Sequence, residues 1–207
     1  MPGSKSSAVL LVATTNKKKL EEFRDLLRDF HLKILSLAEV PDFKEVAENG
    51  KTFEENAVLK ALGYAGQTGF LTLAEDSGLC CDALEGAPGV YSARFAGEGK
   101  SDDENNLKLL RLLEKVPDNC RGARYLSAIA LALPGKLIGT EEGEVHGVIS
   151  HELRGKGGFG YDPLFFYPPY GKTFGEVSEE MKHRVSHRAN ALAKFKKLLE
   201  EFLAASR

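Results

Sequence analysis

The sequence predicts an α/β fold: a mixed twisted sheet with flanking helices, arranged as two lobes around a groove. The prediction rests on an apolar run followed by a helical repeat at the start of the chain, a strand-rich middle, and a long amphipathic stretch at the end. Ala8-Val9-Leu10-Leu11-Val12-Ala13 reads as a short buried strand. Leu20, Phe23, Leu27 and Phe30 then recur at helical spacing. Between Arg124 and Tyr167 strand patterns dominate. Leu192, Phe195, Leu199 and Phe202 form one stripe of a terminal helix.

The other elements follow in order. Lys33–Leu37 is a second strand, and the acidic segment from Val40 to Lys51, broken by Pro41 and Gly50, is a loop. Thr52-Phe53-Glu54-Glu55 is a capping box opening a helix with Ala57, Val58, Ala61, Leu62 and Ala65 as its stripe, closed by Gly66 and Gly69. Phe70–Ala74 is a short strand running into a tight turn, Glu75-Asp76-Ser77-Gly78, with another strand over Leu79–Leu84. A Gly/Pro-rich stretch from Glu85 to Gly99 precedes a second capping box, Ser101-Asp102-Asp103-Glu104, and a helix through Leu113. Arg124–Leu133, Lys136–Gly139 and Gly143–Ser150 form an antiparallel meander turned at Pro134-Gly135. Pro163–Tyr167 is a further strand. Residues 8–205 are read as a single two-lobed domain, and residues 1–7 as a flexible or expression-derived end.

Bulk composition narrows the function. The chain has 207 residues, 43% hydrophobic and 28% charged, enough for a real core. A formal charge of −2 and the lack of a basic stripe argue against a nucleic-acid-coating protein, yet leave room for local cations. Cys80, Cys81 and Cys120 have neither metal-ligand spacing nor a disulfide framework, which fits a reducing, cytoplasmic setting. No apolar run approaches the ~18 residues needed to span a bilayer.

Several constellations carry chemistry. Thr14-Thr15-Asn16 offers turn and N-cap residues, and Lys17, Lys18 and Lys19 crowd the helix start behind it. Cations there oppose the helix dipole by roughly 0.3–1 kcal/mol each, so the cluster reads as a polyphosphate site or as a solvated basic turn. Glu75 and Asp76, at the end of a strand, offer hard oxygens for Mg²⁺ beside a phosphate, or form an ordinary polar turn. Glu45 and Glu48 could add a carboxylate or stay solvated. Lys60 could snorkel or reach a phosphate. Gly155, Gly157 and Gly160 satisfy G-x-G-x-x-G, but a strand follows where a helix is required. Gly171-Lys172-Thr173 matches the end of a phosphate loop whose earlier glycine is here Phe166. What remains is Phe159, raised on glycines, able to stack on a base or to enter the core. Ser186-His187-Arg188, with Lys182 four residues upstream of Ser186, again sets basic residues at a helix start and could bind an anion or a carbonyl.

Together these segments resemble the inosine triphosphate pyrophosphatase family, the RdgB or Ham1-like nucleotide hydrolases. The matching pieces are Thr14-Thr15-Asn16 with Lys19, Phe53-Glu54-Glu55-Asn56-Ala57 with Lys60, and Asp76-Ser77-Gly78-Leu79. They continue, in family order, with Gly86–Arg94, Gly157–Pro163 and Ser186-His187-Arg188. The acidic pair departs from the family pattern, being Glu-Asp where many bacterial members have Asp-Asp, and the N-terminal extension has no counterpart.

The resemblance implies a two-lobed fold, usually homodimeric, with a nucleotide in a central cleft. It implies Mg²⁺-dependent hydrolysis of inosine or xanthosine triphosphates, ribo or deoxy, to monophosphate and pyrophosphate, clearing aberrant purines from the nucleotide pool. By the same resemblance Thr14 to Lys19 cradle the triphosphate, with Lys19 the characteristic phosphate lysine and Lys17 and Lys18 contributing mainly backbone N–H groups. Lys60 adds a cation near the scissile linkage. Asp76 holds Mg²⁺ or deprotonates the attacking water, Glu48 is the distal metal ligand, and Ser77 touches substrate. Phe159, Gly160, Tyr161 and Asp162 bind the substrate, with Phe159 stacking on the base and Asp162 accepting from a ring N–H. His187, Arg188 and Lys182 donate to the 6-oxo group. The alternatives are a pyrophosphatase for other nucleotides, which differs in its base reader, and a silent nucleotide-binding regulator, which has no need of the acidic pair.

Overall fold

Val9–Val12 (β1) is a short, nearly all-buried apolar strand, paired in parallel with Lys33–Ser36 (β2) on one side and Leu71–Cys81 (β3) on the other. The computed structural model describes residues 9–205, so the expected N-terminal end, residues 1–7, lies outside the described residues. The remaining strands are Gly122–Leu133 (β4), Lys136–Ile149 (β5), Phe165–Tyr167 (β6) and Lys172–Thr173 (β7), and the sheet order is β2-β1-β3-β4-β5-β6-β7. β6 runs antiparallel to both β5 and β7, so the sheet is mixed as expected. The helices are Lys17–Leu27 (α1), Phe53–Thr68 (α2), Asp102–Leu112 (α3), Glu179–His183 (α4) and His187–Ala205 (α5).

Two compact units divide the described chain. The first gathers residues up to Asp76, Ala128–Glu142 and the chain from Leu192; the second gathers Ser77–Ser127 and Gly143–Ala191. In the first, Leu11, Leu37 and Tyr64 are buried among Leu35, Val40, Phe43, Val46 and Phe70. Phe43 meets Tyr64 edge-on at 5.8 Å, and the Tyr64 hydroxyl accepts the Val46 N–H, so the irregular 41–50 loop is held against α2. In the second, Leu79, Leu109, Leu113, Phe165 and Phe174 close around Tyr125, whose ring centroid is 4.8 Å from that of Phe165.

Several expectations change. The acidic tetrad is not a turn: β3 is one continuous strand through Glu75, Asp76, Ser77 and Gly78 to Cys81. The sheet ladder overrides the turn preference of Ser and Gly. Likewise β5 is unbroken where two strands were expected. At α2, Thr52 caps the Glu55 N–H, but the Glu55 carboxylate accepts from Lys51, one residue before the position a capping box requires. The helix passes through Gly66 and stops only at Gly69. Ala57, Ala61 and Ala65 of the expected stripe are fully buried, but the row beside them is Asn56, Lys60 and Tyr64, whereas Val58 and Leu62 are only half-buried. The capping box at Ser101 and Glu104 is complete. α4 and β7, too short for a periodic signal, were not anticipated.

Burial raises the pKa of both free thiols, half-buried Cys80 and core Cys81, that of Cys81 to about 12, so neither is an activated nucleophile.

Arg121 is only 2% exposed and donates to Leu113, Ile149 and Ser150 carbonyls at 2.6, 2.7 and 3.0 Å. It binds the Ile149 and Ser150 carbonyls at the end of β5 and joins the Val116 N–H on the Leu113 carbonyl after α3. Arg121→Met removes all three bonds and strands the two β5-end carbonyls from their guanidinium, which should cost about 3–5 kcal/mol, read as a lowered denaturant midpoint. A midpoint shift within error would assign the clamp no energetic role.

Candidate active site

The first unit builds a charged cluster from β1, α1, α2 and β3. Asn16, extended at φ −76°, is the N-cap of α1, and its Oδ1 accepts the amides of Lys18 and Lys19 at 3.0 and 3.2 Å. Thr14 Oγ1 accepts the Asn16 N–H, and Thr15 is exposed. This corrects one expectation: the Lys18 amide is spent inside the cap, so the helix start offers ammonium groups and not that backbone donor. No acidic residue offsets the three lysines in the first turn of α1.

Glu75 and Asp76 are neighbours on an extended strand, so their side chains diverge to opposite faces. Glu75, buried, meets the Lys19 ammonium at 3.1 Å. Asp76 meets Lys60 at 3.3 Å through Oδ1 and accepts from the Asn56 amide at 3.0 Å through Oδ2. Lys60 also contacts Glu48 at 2.9 Å. Asn56 and Lys60, one turn apart on α2, share a face. Asn56 Oδ1 accepts the Gly50 N–H at 2.8 Å, fastening the loop that carries Glu48. A Cβ on Gly50 would stand 2.7 Å from the Glu55 Cβ and 2.8 Å from Asn56 Oδ1, so this close approach requires glycine. Glu45 is exposed in the same loop.

Sequence reasoning passed over Asn56 as a working residue. Its i, i+4 spacing to Lys60 was the available signal. The role of Glu75 was also left open, and its buried pairing with Lys19 now gives it one.

Electrostatics separate the two members of the central pair. Burial pushes the Asp76 carboxyl above its usual range, opposed by Lys60 and Asn56 and reinforced by Glu48. For Lys60 burial pulls downward, but Asp76 and Glu48 outweigh it, and the ammonium is held more firmly than usual. The site therefore keeps a fixed cation beside a carboxylate with enhanced basicity. In the protein without Mg²⁺ the Asp76 carboxyl is therefore expected to titrate above the ordinary Asp value of about 3.9, displaced toward neutrality, as followed by carboxyl NMR. Titration at or below that value would mean that Lys60 and Asn56 outweigh burial.

Among the described residues, no three His, Cys, Asp or Glu side chains form a cage for a metal. Glu48 and Asp76 nevertheless aim hard oxygens at a single cation, the Lys60 ammonium. Mg²⁺ is commonly held by one or two carboxylates together with substrate phosphates and water, and this donor set fits that mode.

The second unit gathers an aromatic and cationic group. Ser186 caps α5 by accepting the Ala189 N–H at 3.1 Å, as expected. Behind it His187 stacks on Tyr125 at 4.8 Å, and Arg188 lies 1% exposed with its Nη2 3.5 Å from Ser77 Oγ. Lys182, on α4, pairs with Asp162 and sits 4.7 Å from the Phe159 ring centroid; the Arg188 guanidinium is 5.9 Å from it. Phe159 and Gly160 are half-buried. Phe159, Lys182 and Arg188 thus converge as expected.

Asp162 and Tyr161 do not match their expected tasks. Asp162 Oδ2 accepts both Lys182 and the Phe159 N–H, and Oδ1 faces the Tyr125 hydroxyl at 3.4 Å. At 1% exposure, with both oxygens in contact with the protein's own donors, it holds the loop and Lys182 and is not presented to a ring N–H. The Tyr161 hydroxyl donates to the Ser92 carbonyl at 2.8 Å, a fold contact.

Residues 10–198 match the model of the Ham1 family. The dITP/XTP pyrophosphatase of Desulforamulus reducens is 54% identical over 92% of this chain and 94% of its own length. That of Geobacter sulfurreducens is 54% identical over 90% and 94%. Among solved structures, a HAM1 protein from Coxiella burnetii superposes with a TM-score of 0.85 at 40% identity, covering 94% of this chain and 99% of that one. The Staphylococcus aureus Ham1 protein gives 0.83 at 38% identity, over 96% and 100%.

Proposed function

The chain belongs to the Ham1 family, and from that membership we propose that it hydrolyses inosine and xanthosine triphosphates, in ribo or deoxy form, to monophosphate and pyrophosphate. In a cell this clears aberrant purines before they enter DNA or RNA. The observation that carries the reading is the Glu48–Lys60–Asp76–Asn56 cluster, in which buried Lys60 and Asn56 hold the half-buried Asp76 and Glu48 closes the solvent side, with Lys19 and Glu75 on the other face of the same strand. Pure binding does not need a carboxylate with a raised pKa; a proton-accepting step does.

In this reading Asp76 orients a water and takes its proton as the oxygen attacks the α-phosphorus. The bond to the bridging oxygen breaks and pyrophosphate leaves. Lys19 and Lys60 hold the charge that develops on the phosphate oxygens. Glu48 and Asp76 would hold Mg²⁺, which when bound with the nucleotide polarises a phosphoryl oxygen and neutralises its charge. Thr14, Thr15 and Asn16 shape the turn that presents the lysines, with Lys17 and Lys18 exposed beside it.

Phe159 stacks on the ring, and Arg188, Lys182 and His187 offer donors to a 6-oxo group. The reading extends, by the family resemblance, to a homodimer in the cytoplasm, which sedimentation and fractionation can check.

Incubation with Mg²⁺ and inosine triphosphate, followed by product identification, tests the reaction. Monophosphate and pyrophosphate in equal amounts are expected. Release of single phosphates would defeat the assigned cleavage position. A panel of triphosphates separates this reading from a pyrophosphatase for modified pyrimidines.

A further inference from the structure

Phe159 lies between two glycines in left-handed backbone, Gly158 at φ +72° and Gly160 at φ +61°. Such joints are permissive, so backbone stiffness alone does not place the ring. What places it is the fastening of the adjoining peptides. Asp162 accepts the Phe159 N–H at 2.9 Å. The next residue is clamped at both its polar groups from α3: Gly160 N–H donates to Asp102 Oδ2 at 2.6 Å, and Asn106 Nδ2 donates to the Gly160 carbonyl at 2.8 Å. Asp102 and Asn106 are four apart and face the same way along the helix.

Asn106 is the more telling of the two. It is 1% exposed, and among the described residues no donor meets its Oδ1. A buried amide with an unsatisfied oxygen is a costly core residue. Its hydrogen bond to the Gly160 carbonyl explains an amide here. The carbonyl of Gly160 also fixes which way the amide faces, since the flipped form would set oxygen against oxygen.

We propose that Asn106 and Asp102 are positioning residues for base recognition, acting through Gly160 to hold the Phe159 ring at the purine. The inference rests on the proposed stacking role of Phe159. It assigns α3, which carries none of the expected site residues, a part in substrate selection.

The test compares Asn106→Leu, Asp102→Ala, Asp102→Asn and Phe159→Ala with the parent protein, using inosine and adenosine triphosphates. Asn106→Leu should raise KM for inosine triphosphate about five- to tenfold, the scale of one lost hydrogen bond, with the loss falling on KM and not on kcat. Asp102→Ala should do the same in smaller measure, because its bond to Gly160 is exposed. Asp102→Asn keeps an acceptor oxygen and should restore the parent KM. Adding Asn106→Leu to Phe159→Ala should raise KM no further, since the two act as one unit.

The controls separate the inference from its premise. If Phe159→Ala leaves KM unchanged, the stacking role itself is wrong. If Phe159→Ala raises KM while Asn106→Leu and Asp102→Ala match the parent, the positioning role is overturned and the stacking role stands. Should Asn106→Leu fail to fold, the Asp102 pair decides: equal KM for its Ala and Asn variants would overturn the proposal.

Discussion

Asp76→Asn is expected to lower kcat on inosine triphosphate by about 10²–10⁴-fold, the range of a lost general base, with the fold intact. The substitution is isosteric, so the packing around β3 is retained. It removes the charge that makes the group a proton acceptor. Lys60 keeps Glu48 as a counter-ion at 2.9 Å, so no buried ammonium is left alone. Nor should stability fall far. The raised pKa of Asp76 means that ionisation is less favourable in the folded chain than in the unfolded one. Its charge therefore opposes folding above the unfolded pKa, and the neutral amide relieves that opposition. Thermal melting and single-turnover kinetics on the same sample check both halves. Turnover near the parent level would remove Asp76 from the chemistry.

Arg188→Ala is expected to narrow the preference for inosine over adenosine triphosphate by about tenfold or more. Hypoxanthine and xanthine present an oxygen at position 6, and adenine presents an amino donor. A protein donor placed there pairs with the first and is left unpaired by the second, and such sites can discriminate by ~10⁴-fold. Arg188 is among the largest fully buried side chains, so its loss also leaves a cavity and lowers stability. The ratio of kcat/KM for two substrates in one variant is independent of the active fraction, and it is the ratio that tests the role. An unchanged ratio would move recognition to Lys182 or His187. Guanine shares the 6-oxo group, so its rejection requires a contact at position 2 that this pair does not supply.

Much of the fold was legible because its signals are local and periodic. β1 and α1, the complete capping box at Ser101, and the terminal stripe of Leu192, Phe195 and Leu199 were all readable from spacing. The continuous strand through Asp76 was not, because Ser77 and Gly78 favour a turn locally and only the ladder of a neighbouring strand overrules them. The site shows the same divide. Lysine and carboxylate identities could be read as anion and metal chemistry, but not which carboxylate meets which lysine. Asp162 was expected to read a base, and its engagement by Lys182, Phe159 and Tyr125 depends on residues up to 37 positions away. Asn56 was obscured for a similar reason: beyond its spacing to Lys60, its role depends on Gly50 and Asp76, which only the fold brings to it.

The extended backbone at Glu75 and Asp76 makes the cluster a matter of parity. In a turn, two adjacent carboxylates could trade places by a small torsion. On a pleated strand their assignment is set by whether each stands at an odd or an even step from Leu71. Deleting one residue between Leu71 and Ala74 would preserve the pair's composition yet direct Glu75 toward Lys60 and Asp76 toward Lys19. Two side chains that differ by a single methylene are thereby made non-interchangeable by counting alone.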